Sequence, residues 1–369
     1  MTARRKIAPP FRADQVGSLL RPPELLAAHR GLRDGALTQD QFAKVLDQAI
    51  RDVVAMQEKI GMQSITDGEF RRASYWSHFV DAIEGMTIGE ASFLFHDERD
   101  QQKFTAPKTI GKLRRARSAS VDEFKFLKSV TSKTPKITLP SPPTMHFWIG
   151  RAGVDKTAYP DKAQFFADLA RIYQQEIRDL AAAGARYIQL DDVPLVMLCD
   201  PHIREAVNAR GEDPLHLIDR YIALMNESVK GAPAEMTIAM HLCRGNYKGK
   251  WLSEGSYDFI AERLFNEINV DAYFMEYDSP RAGDFRPLAH VPKNKTVVLG
   301  LVSSKSPQLE SADTLKKRIA DAAKHVDIDQ LAISPQCGFA STVGGNPLTI
   351  DDDKSKLELL VRVAAETWR

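Results

Sequence analysis

The sequence predicts a (β/α)8 barrel, the TIM-barrel fold, and three observations carry that expectation. Short apolar, β-rich runs alternate along the chain with longer stretches of helical spacing, the pattern of parallel strands joined by crossover helices. Eight such runs can be counted, the number a closed barrel of this kind needs. No glycine-rich phosphate turn follows the first run, so the rival doubly wound open sheet lacks its signature.

The first strand is read at 13–18 (ADQVGS), the second at 64–68 (SITDG), the third at 136–141 (KITLPS) and the fourth at 187–192 (YIQLDD). Four more follow at 236–243 (MTIAMHLC), 272–278 (AYFMEYD), 296–302 (TVVLGLV) and 330–338 (QLAISPQCG). Amphipathic spacing predicts helices at 39–61, 161–184 and 313–326, and Gly61 and Gly184 are placed to cap the first two. The segment from about 85 to 135 breaks this rhythm. It reads as an inserted excursion after the second strand, a hairpin plus a helix over the barrel mouth. Its basic run KLRRARS, 112–118, is either a solvated turn or a patch for an anionic substrate tail. There is no internal repeat and no low-complexity segment, and 1–369 is read as one domain.

Composition narrows the function. The 369 residues are 43% apolar, enough for a large core, and 50 basic residues against 49 acidic leave a net charge of +1. No global field is therefore aimed at nucleic acid or an anionic membrane. No apolar run approaches the ~20 residues of a membrane span. The N-terminal MTARRKIAPPFRADQ has charge but no apolar stretch after it, unlike a signal peptide. Three well-separated cysteines make no disulfide framework and fit a reducing cytoplasm, where cysteine is more often catalytic or metal-bound. A homo-oligomer is compatible with all of this.

In such a barrel the chemistry sits at the C-terminal ends of the strands. Those ends carry Ser18, then Asp67 and Glu69, Trp148 beyond the third, Asp191 and Asp192, His241 and Cys243, Glu276 and Asp278, Lys305 and Cys337. Any one polar strand end has a bland reading, because loops are polar. A histidine and two cysteines on one rim are harder to dismiss. His241 and Cys243 are two apart on a strand, so their side chains point the same way. With Glu276 and Cys337 on neighbouring strand tips they make a zinc-type ligand set, since thiolates favour zinc over magnesium or calcium. Cys199 reads as a small core hydrophobe. Two thiolates cancel the charge of Zn2+, leaving a metal poor at making hydroxide and suited to holding another thiol as its thiolate. The chemistry that follows is alkyl transfer to sulfur, with Glu276 as a ligand that the incoming thiol displaces.

The stretches HLC (241–243), FMEYDSPR (274–281), LGLVSSKSP (299–307) and ISPQCG (333–338) occur in that order. They resemble the catalytic barrel of cobalamin-independent methionine synthase and its shorter single-barrel relatives, and the resemblance runs through essentially the whole chain. It implies zinc held by His241, Cys243, Glu276 and Cys337, homocysteine as the thiol, and a methylated folate or another carrier as methyl donor. QVGSLLRP (15–22) resembles the family's Gly-Ser turn, which implies that Ser18 meets the substrate carboxylate. ITDGEF (65–70) and IQLDD (188–192) resemble the elements that meet the substrate ammonium, which implies that role for Glu69 and Asp191. SPPTMHFW (141–148) resembles the folate-side segment. Trp148 is thus either a stacking partner for a pteridine or a core tryptophan.

Three features depart from the family pattern. Two-barrel members have an N-terminal half that helps to bind the folate tail, and this chain has the length of one barrel. The family's proton-donating histidine is replaced in SSKSP by Lys305, with Ser303 at the aspartate position. Lys305 is therefore read as the catalytic proton donor, with an anchor for an anionic substrate group as the alternative, although an ordinary lysine, with a pKa of about 10.4, is a sluggish acid unless its site lowers that value. DGEFRRASYW adds Arg71 and Arg72, which homocysteine does not call for. Arg71, Arg72 and Lys305 would suit a sulfonate thiol, and the alternative function is therefore alkyl transfer to such a thiol, as in epoxyalkane:coenzyme M transferase. A metal-free decarboxylase on a porphyrinogen-type barrel is disfavoured by the paired thiolates. A structural zinc module is disfavoured by the exchangeable carboxylate.

Overall fold

A computed structural model describes residues 8–97 and 100–368. The charged segment 1–7 and the excursion residues Glu98 and Arg99 lie outside the described residues. The fold is a (β/α)8 barrel. Six consecutive strands, Ile137–Pro140, Tyr187–Asp192, Thr237–Leu242, Ala272–Glu276, Thr296–Val302 and Leu331–Pro335, pair in parallel and in sequence order. Ser64–Ile65 pairs in parallel with Thr134–Pro135, and Lys136 N donates to Ile65 O at 2.8 Å, which carries the third strand up from the second.

The first strand departs from its predicted span. Its regular pairing reduces to a parallel bridge between Ala13 and Ile333, fixed by Asp14 N to Ile333 O at 2.9 Å. Beyond it, side chains close the barrel. Gln15 Nε2 donates to Ser64 O at 3.2 Å and Thr66 Oγ1 to Gly17 O at 2.6 Å. Period-two patterning signals an extended segment but cannot say whether backbone or side chains complete its ladder.

The helices form where their spacing and caps predict. Gln39–Ile60 starts in a capping box of Thr38 and Gln41, and Lys162–Ala183 starts on the Asp161 side chain. Both end on left-handed glycines, Gly61 at φ 101° and Gly184 at φ 99°. The excursion is an antiparallel hairpin, Ile83–Glu90 with Thr105–Arg115, carrying a smaller one, Phe95–His96 with Gln101–Gln102. The helix Val121–Val130 packs between the two long helices, as part of the outer ring. The basic run begins in the hairpin's second strand, with Lys112, Arg114 and Arg117 exposed and Arg115 turned inward. Arg115 reaches Glu176 at 2.6 Å and Asp179 at 2.7 Å, and Glu176 is 1% exposed. These bonds fasten the hairpin to the helix Lys162–Ala183.

Inside the barrel, Val16, Tyr187, Ala239, Ala272, Phe274, Val298 and Ala332 form one apolar cluster. Its members set the parity of the strands that carry them. Stepping by two from Tyr187 reaches Gln189 and Asp191; from Ala239 it reaches His241 and Cys243; from Phe274 it reaches Glu276. The residues singled out on these strands therefore face the barrel axis because their neighbours two positions back fill it.

Asp353, in the first turn of the last helix, is buried and accepts a hydrogen bond from Leu20 N at 3.1 Å, tying that helix to the turn after the first strand. Burial raises its carboxyl from 3.8 to about 7. Between those values the folded chain keeps a proton that the unfolded chain has lost, so this group's contribution to stability falls as pH rises and is fully lost above about pH 7. Asp353→Asn keeps an acceptor for Leu20 N without the charge. It should raise the melting temperature over wild type by on the order of several degrees at pH 8 and by little at pH 4–5, read by scanning calorimetry.

Candidate metal centre and substrate cavity

The ligand-bearing tips converge. The donor atoms of His241, Cys243 and Cys337 all lie within 4.8 Å of one another, and all three residues are buried. Backbone contacts hold them there. Cys243 N donates to Asp192 O at 2.8 Å, and Gln336 N donates to Val302 O at 2.8 Å just before Cys337. Asn246 Nδ2 donates to Gly338 O at 2.8 Å and so ties the loop after Cys243 to the loop after Cys337. Gly338 is required by close approach, since a Cβ there would stand 2.0 Å from Ser18 Oγ.

The two sulfurs are 3.4 Å apart. Their mutual hydrogen bond holds Cys337 well below the ordinary thiol value and, with burial, pushes Cys243 well above it. Gly245 N donates to Cys243 Sγ at 3.3 Å. Both ring nitrogens of His241 are buried without a hydrogen-bond partner, as is Glu276 Oε1. Orphaned nitrogen and oxygen beside two soft sulfurs fit a thiophilic cation such as zinc. Glu276 is not part of the tight cluster. Its Oε2 accepts from Arg244 N at 3.1 Å, and burial raises its carboxyl.

Above the cluster opens a cavity of about 630 Å³. Its walls include Ser18, Glu69, Trp148 and Asp191, and its lining also takes in His241, Cys243 and Cys337. Glu69 Oε1 accepts from Thr138 Oγ1 at 2.6 Å and lies 3.5 Å from Arg72. Burial raises the Glu69 carboxyl and lifts that of Asp191 to about 7, with Glu69 adding its own charge to the second effect. Two carboxylates in one dry wall make a cation-hungry surface. Glu69 holds φ 59° and Lys248 φ 52°, the two positive-φ residues other than glycine among those described, and both line this cavity. Backbone strain is concentrated where a ligand would sit.

Asp192 turns out to be support: it accepts from Ser141 Oγ at 2.7 Å and Leu195 N at 2.9 Å. Trp148 is a core tryptophan at the cavity edge. It is 2% exposed, edge-on to Phe93, Phe104 and Phe147, yet it borders the cavity. Ser92 N donates to Trp148 O at 2.8 Å, so this residue also anchors the hairpin over the mouth. Cys199 is buried, and burial raises its thiol to about 11.

Arg71, read as substrate-binding, is not brought to the cavity. It pairs with Asp47 at 2.5 Å and lies over Phe126 at 4.7 Å. Arg72 is fully buried on Glu123 and Thr138. Lys305 does not line the cavity either; its Nζ donates to Gly245 O at 3.0 Å, bracing the loop after Cys243.

Two residues that matter here escaped the sequence. Tyr75 lines the cavity with its hydroxyl buried and unpartnered. It arrives there because Tyr75 N donates to Ser341 O at 3.0 Å, a contact between distant loops. Asn246 follows Cys243 closely enough that the HLCRGN run was the only available hint.

A family model described as "Cobalamin-independent synthase, Catalytic domain" matches residues 11–366. The chain is 38% identical over 364 residues to the uncharacterized protein YxjH of Bacillus subtilis, spanning 98% of this chain and 95% of that one. It is 27% identical over 328 residues to a methionine synthase of Pyrococcus horikoshii, spanning 88% and 85%. Among solved structures, one of a Listeria monocytogenes protein described as a candidate vitamin-B12 independent methionine synthase superposes with a TM-score of 0.77 at 31% identity, covering 98% of each chain.

Proposed function

This chain belongs to the family of cobalamin-independent synthase catalytic domains, and on that premise we propose that it transfers a methyl group to the thiol of homocysteine, giving methionine, with zinc as its metal. The observation that carries the reading is the pairing of a soft His-Cys-Cys cluster with two buried carboxylates on one cavity wall. His241, Cys243 and Cys337 hold the zinc, and Glu276 is its fourth, exchangeable ligand. Bound there, zinc stabilises the substrate sulfur as a thiolate, which a free thiol with a pKa of about 8.5 is not at neutral pH.

The chain's own residues do the rest. Glu69 and Asp191 receive the ammonium of the amino acid, and the Ser18 hydroxyl donates to its carboxylate. The aromatic wall of Trp148, Phe104 and Phe95 keeps water off the thiolate and offers flat surface to a methylated folate or another carrier. Lys305 Nζ donates to Gly245 O and braces the loop that carries Cys243. The reaction belongs in the cytoplasm, where thiols stay reduced. Among the described residues no helix is long and apolar enough to cross a membrane.

A sulfonate thiol loses its support. Arg71, Arg72 and Lys305 were its expected anchors, and each is engaged elsewhere. The test is direct. Purified protein should carry about one zinc per chain, with two sulfurs, one nitrogen and one oxygen at the zinc K-edge. It should form methionine from homocysteine with one of a panel of methylated folates and other methyl carriers. Activity in metal-free protein would sink the reading, as would faster alkylation of coenzyme M by an epoxide.

A further inference from the structure

Beside the sulfur cluster, a buried carboxylate meets one guanidinium at long range and takes a backbone hydrogen bond from the residue that carries a second. Glu276 is 1% exposed. One oxygen accepts from Arg244 N at 3.1 Å. The other has no hydrogen-bond partner and lies 3.6 Å from Arg281 Nη2. Arg244 is 0% exposed, and none of its three guanidinium nitrogens has a hydrogen-bond partner. Its guanidinium is held over the Tyr257 ring at 4.6 Å, on the residue whose backbone N donates to Glu276. Arg281 lies over Trp251 at 4.6 Å and reaches Asp278 at 3.5 Å. A buried guanidinium without acceptors is costly, and it is kept where an acceptor visits.

We propose that Arg244 and Arg281 are positioning residues that form a cationic cradle for Glu276, drawing it off the metal as the substrate thiol arrives. The inference rests on the zinc reading above. Charge balance gives the reason. With a neutral histidine and two thiolates, the metal gains one negative charge from Glu276 at rest, or one from a substrate thiolate in its place. Retaining both would crowd a second excess negative charge into a buried site. The carboxylate has to leave, and a buried carboxylate can leave only to a site that neutralises it. The cradle is that site, and here Glu276 stands at its edge, 3.6 Å from Arg281, with the Arg244 guanidinium still without an acceptor. Its two weak contacts, one backbone donor and one long ion contact, hold the group without trapping it, so the fourth position can exchange in both directions.

The test follows the shell of the zinc-loaded protein during titration with homocysteine, by zinc K-edge absorption. In wild type the single oxygen ligand should give way to a third sulfur. Arg281→Met removes one wall of the cradle at a side chain that is 17% exposed, where the fold tolerates it. The homocysteine concentration for half conversion should then rise about tenfold or more, the loss of one charge-assisted contact. Arg281→Lys should recover much of that loss, and Arg244→Met should act in the same direction as Arg281→Met. A merely structural arginine would not move the oxygen-to-sulfur midpoint or respond to lysine. If both methionine variants exchange at the wild-type concentration, the cradle is overturned while the zinc reading stands. If wild-type protein holds no zinc, or never exchanges oxygen for sulfur, both fall together.

Discussion

Cys337→Ala should bring the zinc content from about one per chain to near zero after dialysis against a mild chelator, and Cys243→Ala should do the same. Each change removes one of two sulfurs that stand 3.4 Å apart beside an unpartnered imidazole. A ligand's loss should exceed the roughly 10–100-fold drop in affinity that follows loss of a supporting residue. The control is internal. Cys199 is equally buried but lies outside the cluster. Cys199→Ala should retain full zinc. Circular dichroism separates metal loss from unfolding, because the backbone contacts of Cys243 N to Asp192 O and Gln336 N to Val302 O survive either substitution. Full zinc in Cys337→Ala would remove that residue from the site.

Glu69→Gln and Asp191→Asn should each weaken homocysteine binding by roughly 10- to 150-fold, the equivalent of about 1.5–3 kcal/mol for a hydrogen bond to a charged group. Both substitutions are isosteric. Glu69→Gln keeps a side-chain oxygen to accept from Thr138 Oγ1. Asp191→Asn keeps one for Gln189, whose Nε2 now donates to Asp191 Oδ1 at 2.7 Å. The cavity should therefore keep its shape while losing its charge. The double variant should lose less than the sum of the two, because both carboxylates face one ammonium. Isothermal titration of zinc-loaded protein measures all three. A thiol without an ammonium, such as coenzyme M, should bind the variants as well as it binds wild type. If both single variants bind homocysteine normally, the cavity wall does not recognise the amino group.

The legible part of the molecule was legible for local reasons. Helix 39–61 announced itself by spacing, a capping threonine and a terminal glycine, and it forms from Gln39 to Ile60. The strand 187–192 forms over those same residues. His241, Cys243 and Cys337 could be read as a group because soft ligands are scarce in the chain and each ends a strand. The excursion was visible as a break in rhythm. Its basic run was not interpretable, because the partner of Arg115 is Glu176, on the face of a helix and 61 residues later in the chain.

The sequence by itself determined the barrel, the strand parity that aims Asp191, His241 and Glu276 at one axis, and the three soft ligands. All of these follow from period and residue chemistry, which act over a few neighbours. Only the tertiary structure decided which charges remain free to meet a substrate. Arg71 and Arg72 stand next to Glu69 and Phe70 in the chain, yet Arg71 is spent on Asp47 and Arg72 on Glu123. Lys305 is spent on Gly245 O, and Tyr75 and Asn246 enter the site through contacts with loops far away in sequence. A long charged side chain can reach many partners, and a buried one must find an opposite charge or an acceptor wherever packing provides it. That choice is settled by which elements the fold brings together, and no local pattern records it.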